Sequence, residues 1–98
     1  MYDVEQGLRE AARARRRRDP VTVEIIRIAD QIATNMARHF TPAETETAGK
    51  ALVIAAASVG VITRDSADRT GQAAVNVIGI AGHRLVLDAR AATEEGSQ

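Results

Sequence analysis

The stretch that decides the fold is residues 41–62, which has the sequence TPAETETAGKALVIAAASVGVI. It opens with a Thr that can cap a helix, a Pro suited to the first helical position, and a Glu three residues after the Thr. These residues form the capping box that begins a helix. Residues 51–62 carry no charge. The stretch therefore predicts a helix without a polar face in its second half, and such a helix is normally buried on all sides.

The segment before this stretch predicts a second helix. Asp19 suits an N-cap and Pro20 suits the first helical position. From Ile25 to Phe40 the apolar residues recur at intervals of three and four, which is the pattern of an amphipathic helix. A short first helix is expected from Asp3 into the arginines at 15–18, where neighbouring like charges weaken a helix at its end.

A fourth helix is predicted from about Ser66 to Ala92, with Asp65 as a possible cap. The glycines inside the third and fourth helices predict a close approach of their backbones to a neighbouring helix or to a ligand, because each interior Gly lowers helix stability; they include Gly49, Gly60, Gly71, Gly79 and Gly82. We therefore expect an all-α fold, either a bundle of three to four helices or a helical hairpin.

The chain divides into a basic N-terminal arm or helix at 1–18, a helical core at 19–92 and a flexible polar tail at 93–98. We expect the first helix to be peripheral to the core. A chain of 98 residues has a small core. A helix that is apolar all round needs more neighbours than three short helices supply. We therefore expect homo-oligomerisation to complete the fold.

Composition excludes several functional classes. The chain has no Cys and no Trp, and only two aromatic residues. Disulfides, thiolate metal sites and a cysteine nucleophile are thus excluded, and no arrangement of catalytic or metal-binding side chains can be argued from spacing. We expect no enzymatic activity, no metal and no cofactor.

The sequence shows no signal peptide, and its longest uncharged apolar stretch is shorter than the roughly 20 residues that span a bilayer. We therefore expect a cytoplasmic protein without a membrane partner.

Polar residues recur every seven positions along the predicted fourth helix and form one line; they are Arg69, Asn76, His83 and Arg90, with Gln72 between the first two. This line is either the solvated face of a surface helix or a row of donors at a subunit interface or groove. Because Arg binds phosphate and carboxylate oxygens through a bidentate fork, a small anionic ligand is one expectation.

A second candidate site is basic. Residues 1–18 carry six arginines against three acidic residues, although the whole chain has no net charge. The candidates for nucleic-acid binding are Arg13, Arg15, Arg16, Arg17, Arg18 and Arg64. Residues 56–61 have the Ala-then-Gly spacing of the turn in a helix-turn-helix motif, which would place Arg64 near the DNA groove. The arginines could equally form a solvated tail or a local interaction segment.

The turn at Thr63-Arg64-Asp65-Ser66, followed by a helix of small residues, is similar to that of phage helical-hairpin proteins that sequester cyclic nucleotides. The resemblance implies an oligomer that sequesters a nucleotide. Overall, we expect a non-enzymatic binding or regulatory protein that acts through oligomerisation and partner binding. The alternatives are a DNA-binding transcriptional regulator and an oligomeric phage-type protein that binds a small anion such as a nucleotide.

Overall fold

The computed structural model describes the backbone of residues 4–63 and 69–96 and the side chains of residues 4–58 and 71–94. The described residues form four helices and no strand, which confirms the all-α prediction. The helices are α1 (Val4–Arg15), α2 (Pro20–Ala37), α3 (Pro42–Thr63) and α4 (Arg69–Gly96).

The helix starts predicted at Asp19 and Thr41 are confirmed, whereas the caps predicted at Asp3 and Asp65 lie outside the described residues. The Asp19 carboxylate accepts a hydrogen bond from the Thr22 backbone N–H at 3.0 Å, and this bond lowers the pKa of Asp19. At the start of α3 the capping box is reciprocal. The Thr41 backbone N–H donates to Glu44 Oε1 at 2.9 Å, and the Glu44 backbone N–H donates to Thr41 Oγ1 at 3.2 Å. These caps satisfy backbone donors that the helix itself leaves unpaired.

The helices α3 and α4 pack antiparallel, and their backbones come closest at two glycines. A Cβ atom added to Gly49 would lie 2.7 Å from the Gly82 carbonyl oxygen, so only a residue without a side chain fits there. Farther along the pair, a Cβ atom at Gly79 would lie 3.5 Å from Ala56 Cβ, which is ordinary van der Waals contact. Close backbone approach therefore explains Gly49 and Gly82 but not Gly79.

The core is built around α4, which packs most extensively on α3 and also contacts α1 and α2. Its largest fully buried side chains are Ile80, Leu85 and Val86. Val86 packs with Val53 of α3 in one cluster, and Ile80 packs with Ile25 of α2 in another. By contrast, α2 and α3 make few contacts with each other.

The first helix belongs to the core. Leu8 and Ala11 are buried, and Leu8 packs with Val53 and Val86. Burying the apolar side of α1 in this way removes it from water and contributes to stability. The helix is thus less peripheral than the sequence suggested, and only its outer face and the turn that follows are free to act as a basic arm.

Three features differ from the sequence-based expectations. Helix α4 continues to Gly96 beyond the predicted end at Ala92, since residues 93–95 include no helix breaker and the Thr93 hydroxyl donates to the Ala89 carbonyl. Residues 56–61 continue α3, so the prediction of a turn there is wrong. Within this chain, α3 is also not covered on all sides, because Ala51, Ile54 and Ala55 are exposed.

Among the described helices, none has both the length and the apolar character that a membrane span requires.

Candidate functional site

The polar line of α4 lies along the seam between α4, α1 and α3. Gln72 and Asn76 line a cleft at one end, His83 is buried in the middle, and Arg90 forms ion pairs at the other end. The four described members of the line are therefore brought to one intramolecular seam. Although α4 begins at Arg69, the position of that side chain lies outside the described residues, and so does Arg64.

The cleft has a volume of about 380 Å³ and is bounded by α1, α3 and α4. Four polar side chains line it: Gln6 and Glu10 from α1, and Gln72 and Asn76 from α4. Gln6 Nε2 donates to Glu10 Oε1 at 3.4 Å. The remaining wall is apolar and mostly small; it comprises Gly7, Ala11, Ala14, Val53, Ala56, Ala57, Val75, Gly79 and Ile80.

This arrangement of a few polar groups around an apolar floor is typical of small-molecule sites. The cleft exists because small residues from three helices meet there and leave space that larger side chains would fill. Among its described lining residues, Glu10 is the only charged one, and the three amide side chains can both donate and accept hydrogen bonds.

Arg90 is held by carboxylates from two other helices. Its Nη2 donates to Glu5 Oε1 at 3.2 Å and its Nε donates to Glu46 Oε1 at 3.3 Å. These bonds raise the pKa of Arg90. Lys50 also lies 3.6 Å from Glu46. The Arg90 guanidinium thus links α4 to α1 and α3, and its bidentate capacity is used within the chain.

His83 is only 8% exposed, and its Nδ1 has no hydrogen-bond partner in the described part of the chain. Burial lowers the pKa of His83, and the positive charge of Arg15 lowers it further. Both effects favour the neutral ring, so this histidine is not presented as a cationic donor.

A second ion-pair cluster joins α1, α2 and α4. Arg15 binds the Asp30 carboxylate through two hydrogen bonds of 3.0 and 3.2 Å, and it also donates to the Ile80 carbonyl at 3.5 Å. Arg84 lies 3.3 Å from the same carboxylate and also binds Asp88. Arg15 therefore links α1 to α2 and α4, and we call this link the Arg15 clamp. The sequence had placed Arg15 among the candidates for nucleic-acid binding.

The other arginines of the basic segment have different surroundings. Arg18 donates to the backbone carbonyls of Arg15 and Arg17. Arg13, Arg16 and Arg17 are exposed and make no ion pair with the described residues. Three of the predicted arginines thus remain available to a partner.

The sequence did not indicate that α1 contributes to the cleft, nor that Arg9 belongs with the exposed arginines of the basic segment. Gln6 and Glu10 face the cleft, and Arg9 is a further exposed arginine on α1. Gln6 and Glu10 are four residues apart and so share a face of the helix. That spacing could have indicated a polar pair, but nothing local indicated which helix it would face.

Comparison with known proteins gives no match to this chain among protein-family models, curated proteins or solved structures. What the described residues define is a class: an all-α fold whose described part has four helices, with a polar seam along the central helix.

Proposed function

We propose that this protein is a non-enzymatic binding protein that acts as a homo-oligomer, with protomers joined through the outer face of α3. The observation that carries the proposal is that the exposed residues at the centre of this outer face are uncharged over about three turns of helix, while Lys50 at its edge is paired with Glu46. These exposed residues are Thr47, Ala51, Ile54, Ala55 and Ser58.

The two hydroxyl groups on this face already donate hydrogen bonds to backbone carbonyls of α3. Thr47 Oγ1 donates to the Ala43 carbonyl at 3.1 Å, and Ser58 Oγ donates to the Ile54 carbonyl at 3.0 Å. Covering the face would therefore leave no hydroxyl donor unsatisfied, which removes the main cost of burying polar groups. Burial of Ile54 and the alanines would contribute hydrophobic free energy.

The total solvent-accessible area of the chain supports a second copy of the chain as the partner that covers the outer face of α3. A folded monomer of 10.5 kDa is expected to expose about 5,400 Å². This chain exposes 6512 Å². The excess is comparable to the roughly 800 Å² that each partner buries in a standard interface. An interface of that size extends beyond α3, and Val21, Ile28 and Ile32 of α2 are further exposed aliphatic side chains that could join it.

Electrostatics also favours self-association. The chain has no net charge, so two copies do not repel each other at long range. An uncharged helical face is matched best by another uncharged face, and a two-fold axis would pair the α3 face with itself. The small residues allow helices to approach closely, as α3 and α4 already do within the chain.

The test compares two aliphatic side chains that are equally exposed. Ile54 on α3 and Leu87 on α4 are each 47% exposed. We expect Ile54→Glu to convert the oligomer into a monomer and Leu87→Glu to leave it intact, as measured by sedimentation velocity. Helical content by circular dichroism controls for folding. Equal masses for the two folded variants would contradict the role given to α3.

A second candidate function is the binding of a small molecule in the cleft, favoured by the convergence of Gln72 and Asn76 with Gln6 and Glu10. The described lining contains no basic side chain, so its chemistry suits a neutral or cationic polar molecule better than the nucleotide expected from the sequence. Melting of the protein with a panel of polyamines, amides and nucleotides tests this. A ligand should raise the melting temperature, and Asn76→Ala should abolish that rise, whereas the exposed Asn35→Ala should not.

A further inference from the structure

The outer face of α1 and the turn after it carry arginines that the rest of the fold does not neutralise. They are Arg9, Arg13, Arg16 and Arg17, all exposed and without an ion pair to any described residue. In the rest of the described chain Arg15, Arg27, Arg84 and Arg90 pair with carboxylates. Arg18 donates to two backbone carbonyls, and Arg38, which follows α2, is exposed without an ion pair. We call Arg9, Arg13, Arg16 and Arg17 the arginine face.

The arginine face is held in place by the core. Arg9 and Arg13 are four residues apart in α1, so their side chains are neighbours, and Arg16 follows three residues later at the helix end. On the opposite side of α1, Leu8 and Ala11 are buried. The bonds from Arg15 to Asp30 fix the end of the helix. Arg9, Arg13 and Arg16 therefore follow one another in steps of about one helical turn, roughly 5 Å, and Arg17 is the next residue in the turn after α1.

Nearby acidic groups have other partners. The Asp19 carboxylate caps α2 through bonds from the backbone N–H and hydroxyl of Thr22. Glu10 accepts a bond from Gln6, and Glu5 binds Arg90. Asp19 and Glu10 bond here to uncharged groups and keep their negative charge, and Arg17 acts on Asp19 electrostatically. Four arginines against these two carboxylates still leave the arginine face a surplus of positive charge, although the whole chain has no net charge.

We propose that the arginine face binds the phosphate backbone of double-stranded nucleic acid without reading its bases. A regular row of guanidinium groups suits a linear polyanion, and Arg binds phosphate oxygens through paired donors. This site is distinct from the self-association surface, because the face belongs to α1 and the turn after it, whereas the association surface belongs to α3 with exposed aliphatic side chains of α2.

The surroundings of the face select a duplex over other polyanions. The exposed residues of α1 are Glu5, Gln6, Arg9, Glu10 and Arg13, so no apolar side chain on this face could enter a membrane. The chain has only two aromatic residues, too few for a platform on which several single-stranded bases could stack, and Phe40, the one within the described residues, lies after α2. A helix with a basic face remains suited to the phosphates of a duplex.

The test measures fluorescence anisotropy of labelled duplex DNA of about 20 base pairs while the full chain is titrated, at salt concentrations from about 50 mM to about 200 mM. Contacts from four arginines predict that the affinity falls roughly 100-fold over this range. Two duplexes of unrelated sequence should bind with equal affinity. No binding at the lowest salt, or an affinity that does not depend on salt, would overturn the proposal.

Two double variants with the same change in net charge distinguish binding by the arginine face from a general effect of net charge on DNA binding. Arg13→Gln with Arg17→Gln removes half of the face, whereas Arg27→Gln with Arg38→Gln removes one exposed arginine of α2 and the exposed arginine that follows it. We expect the first to weaken binding at least tenfold at low salt and to lower the salt dependence by about two phosphate contacts. The second should change affinity less than threefold. Equal weakening by both variants, or wild-type binding to phosphatidylserine vesicles in place of DNA, would contradict the assignment.

Discussion

Gly49 and Gly82 face each other where α3 crosses α4, and each occupies the space that a side chain on the other would need. A Cβ atom on Gly82 would lie 2.7 Å from the Gly49 carbonyl oxygen, and one on Gly49 would lie 2.7 Å from the Gly82 carbonyl oxygen. Because both obstacles are backbone atoms, no change of rotamer relieves the overlap. The antiparallel helix pair can reach this distance only with glycine at both positions.

The first prediction concerns this crossing. Gly49→Ala and Gly82→Ala should each lower the free energy of unfolding by about 1–3 kcal/mol, because the helices must separate to admit the methyl group. Gly79→Ala is the matched control, since its Cβ atom would make only an ordinary contact at 3.5 Å with Ala56. It should be neutral or stabilising by up to about 1 kcal/mol through helix propensity. Urea denaturation measures all three, and wild-type stability in Gly49→Ala would refute the close crossing.

The helix starts could be predicted from sequence because their signals are local. At Asp19 and Thr41 the capping side chain and the backbone group that it binds lie three residues apart. The periodicity of α4 likewise placed Asn76, His83 and Arg90 on one line. A regular helix fixes that geometry without reference to any other element.

The direction in which that line faces could not be predicted. One partner of Arg90 is Glu5, 85 residues away in the chain, and Arg15 pairs with Asp30 from the next helix. Such pairings depend on how α1 docks, and the apolar side of α1 consists largely of Leu8 and small residues, which give a weak hydrophobic signal. The sequence of α3 also does not show which of its faces is exposed, because the buried and the exposed positions of its second half are equally apolar.

The second prediction concerns Asp30, whose carboxylate is shared by Arg15 and Arg84. Asp30→Ala should lower the free energy of unfolding by about 1–2 kcal/mol, because two guanidinium groups lose their common partner. This figure is reduced from that of a fully buried pair, since the side chains are 27–39% exposed and water screens them. Glu24→Ala removes the exposed pair with Arg27 on α2 and should change stability little. Thermal and urea unfolding compare the two variants, and equal losses would contradict the clamp assigned to Arg15.

The third prediction concerns pH and His83. Burial holds the folded-state pKa of His83 below its ordinary value of 6.5, so the unfolded chain binds more protons as the pH falls. Stability should therefore be complete above pH 6.5 and decrease below it. The carboxylates with lowered pKa values, such as Asp19 and Glu44, lose their contributions only near and below about pH 4. The melting temperature should thus fall between about pH 7 and about pH 5.

Two variants test whether His83 is the group that causes this pH dependence. His83→Gln should flatten the decrease in melting temperature, whatever its effect on stability at neutral pH. His39→Gln, which changes an exposed histidine, should retain the wild-type slope. A His83→Gln protein with an unchanged slope would show that the group responsible lies elsewhere.

The fourth prediction concerns the cleft. Ala57→Leu adds apolar atoms to its wall and should raise the free energy of unfolding by up to about 1 kcal/mol if the space can be filled without displacing α1. The same variant should lose binding of any molecule that the wild-type cleft takes. Leu at the exposed Ala43 of the same helix is the control and should alter neither property. A destabilised Ala57→Leu protein that still binds the molecule would contradict the placement of the cleft.

The proposed self-association through α3 is tested most directly by the mass of the wild-type protein in solution. Sedimentation equilibrium at micromolar concentration should give at least twice the chain mass of 10.5 kDa and should be unaffected by moderate salt, because the proposed interface is uncharged. A single species of 10.5 kDa across that concentration range would contradict the account, since the outer face of α3 would then be open to water in the functional protein.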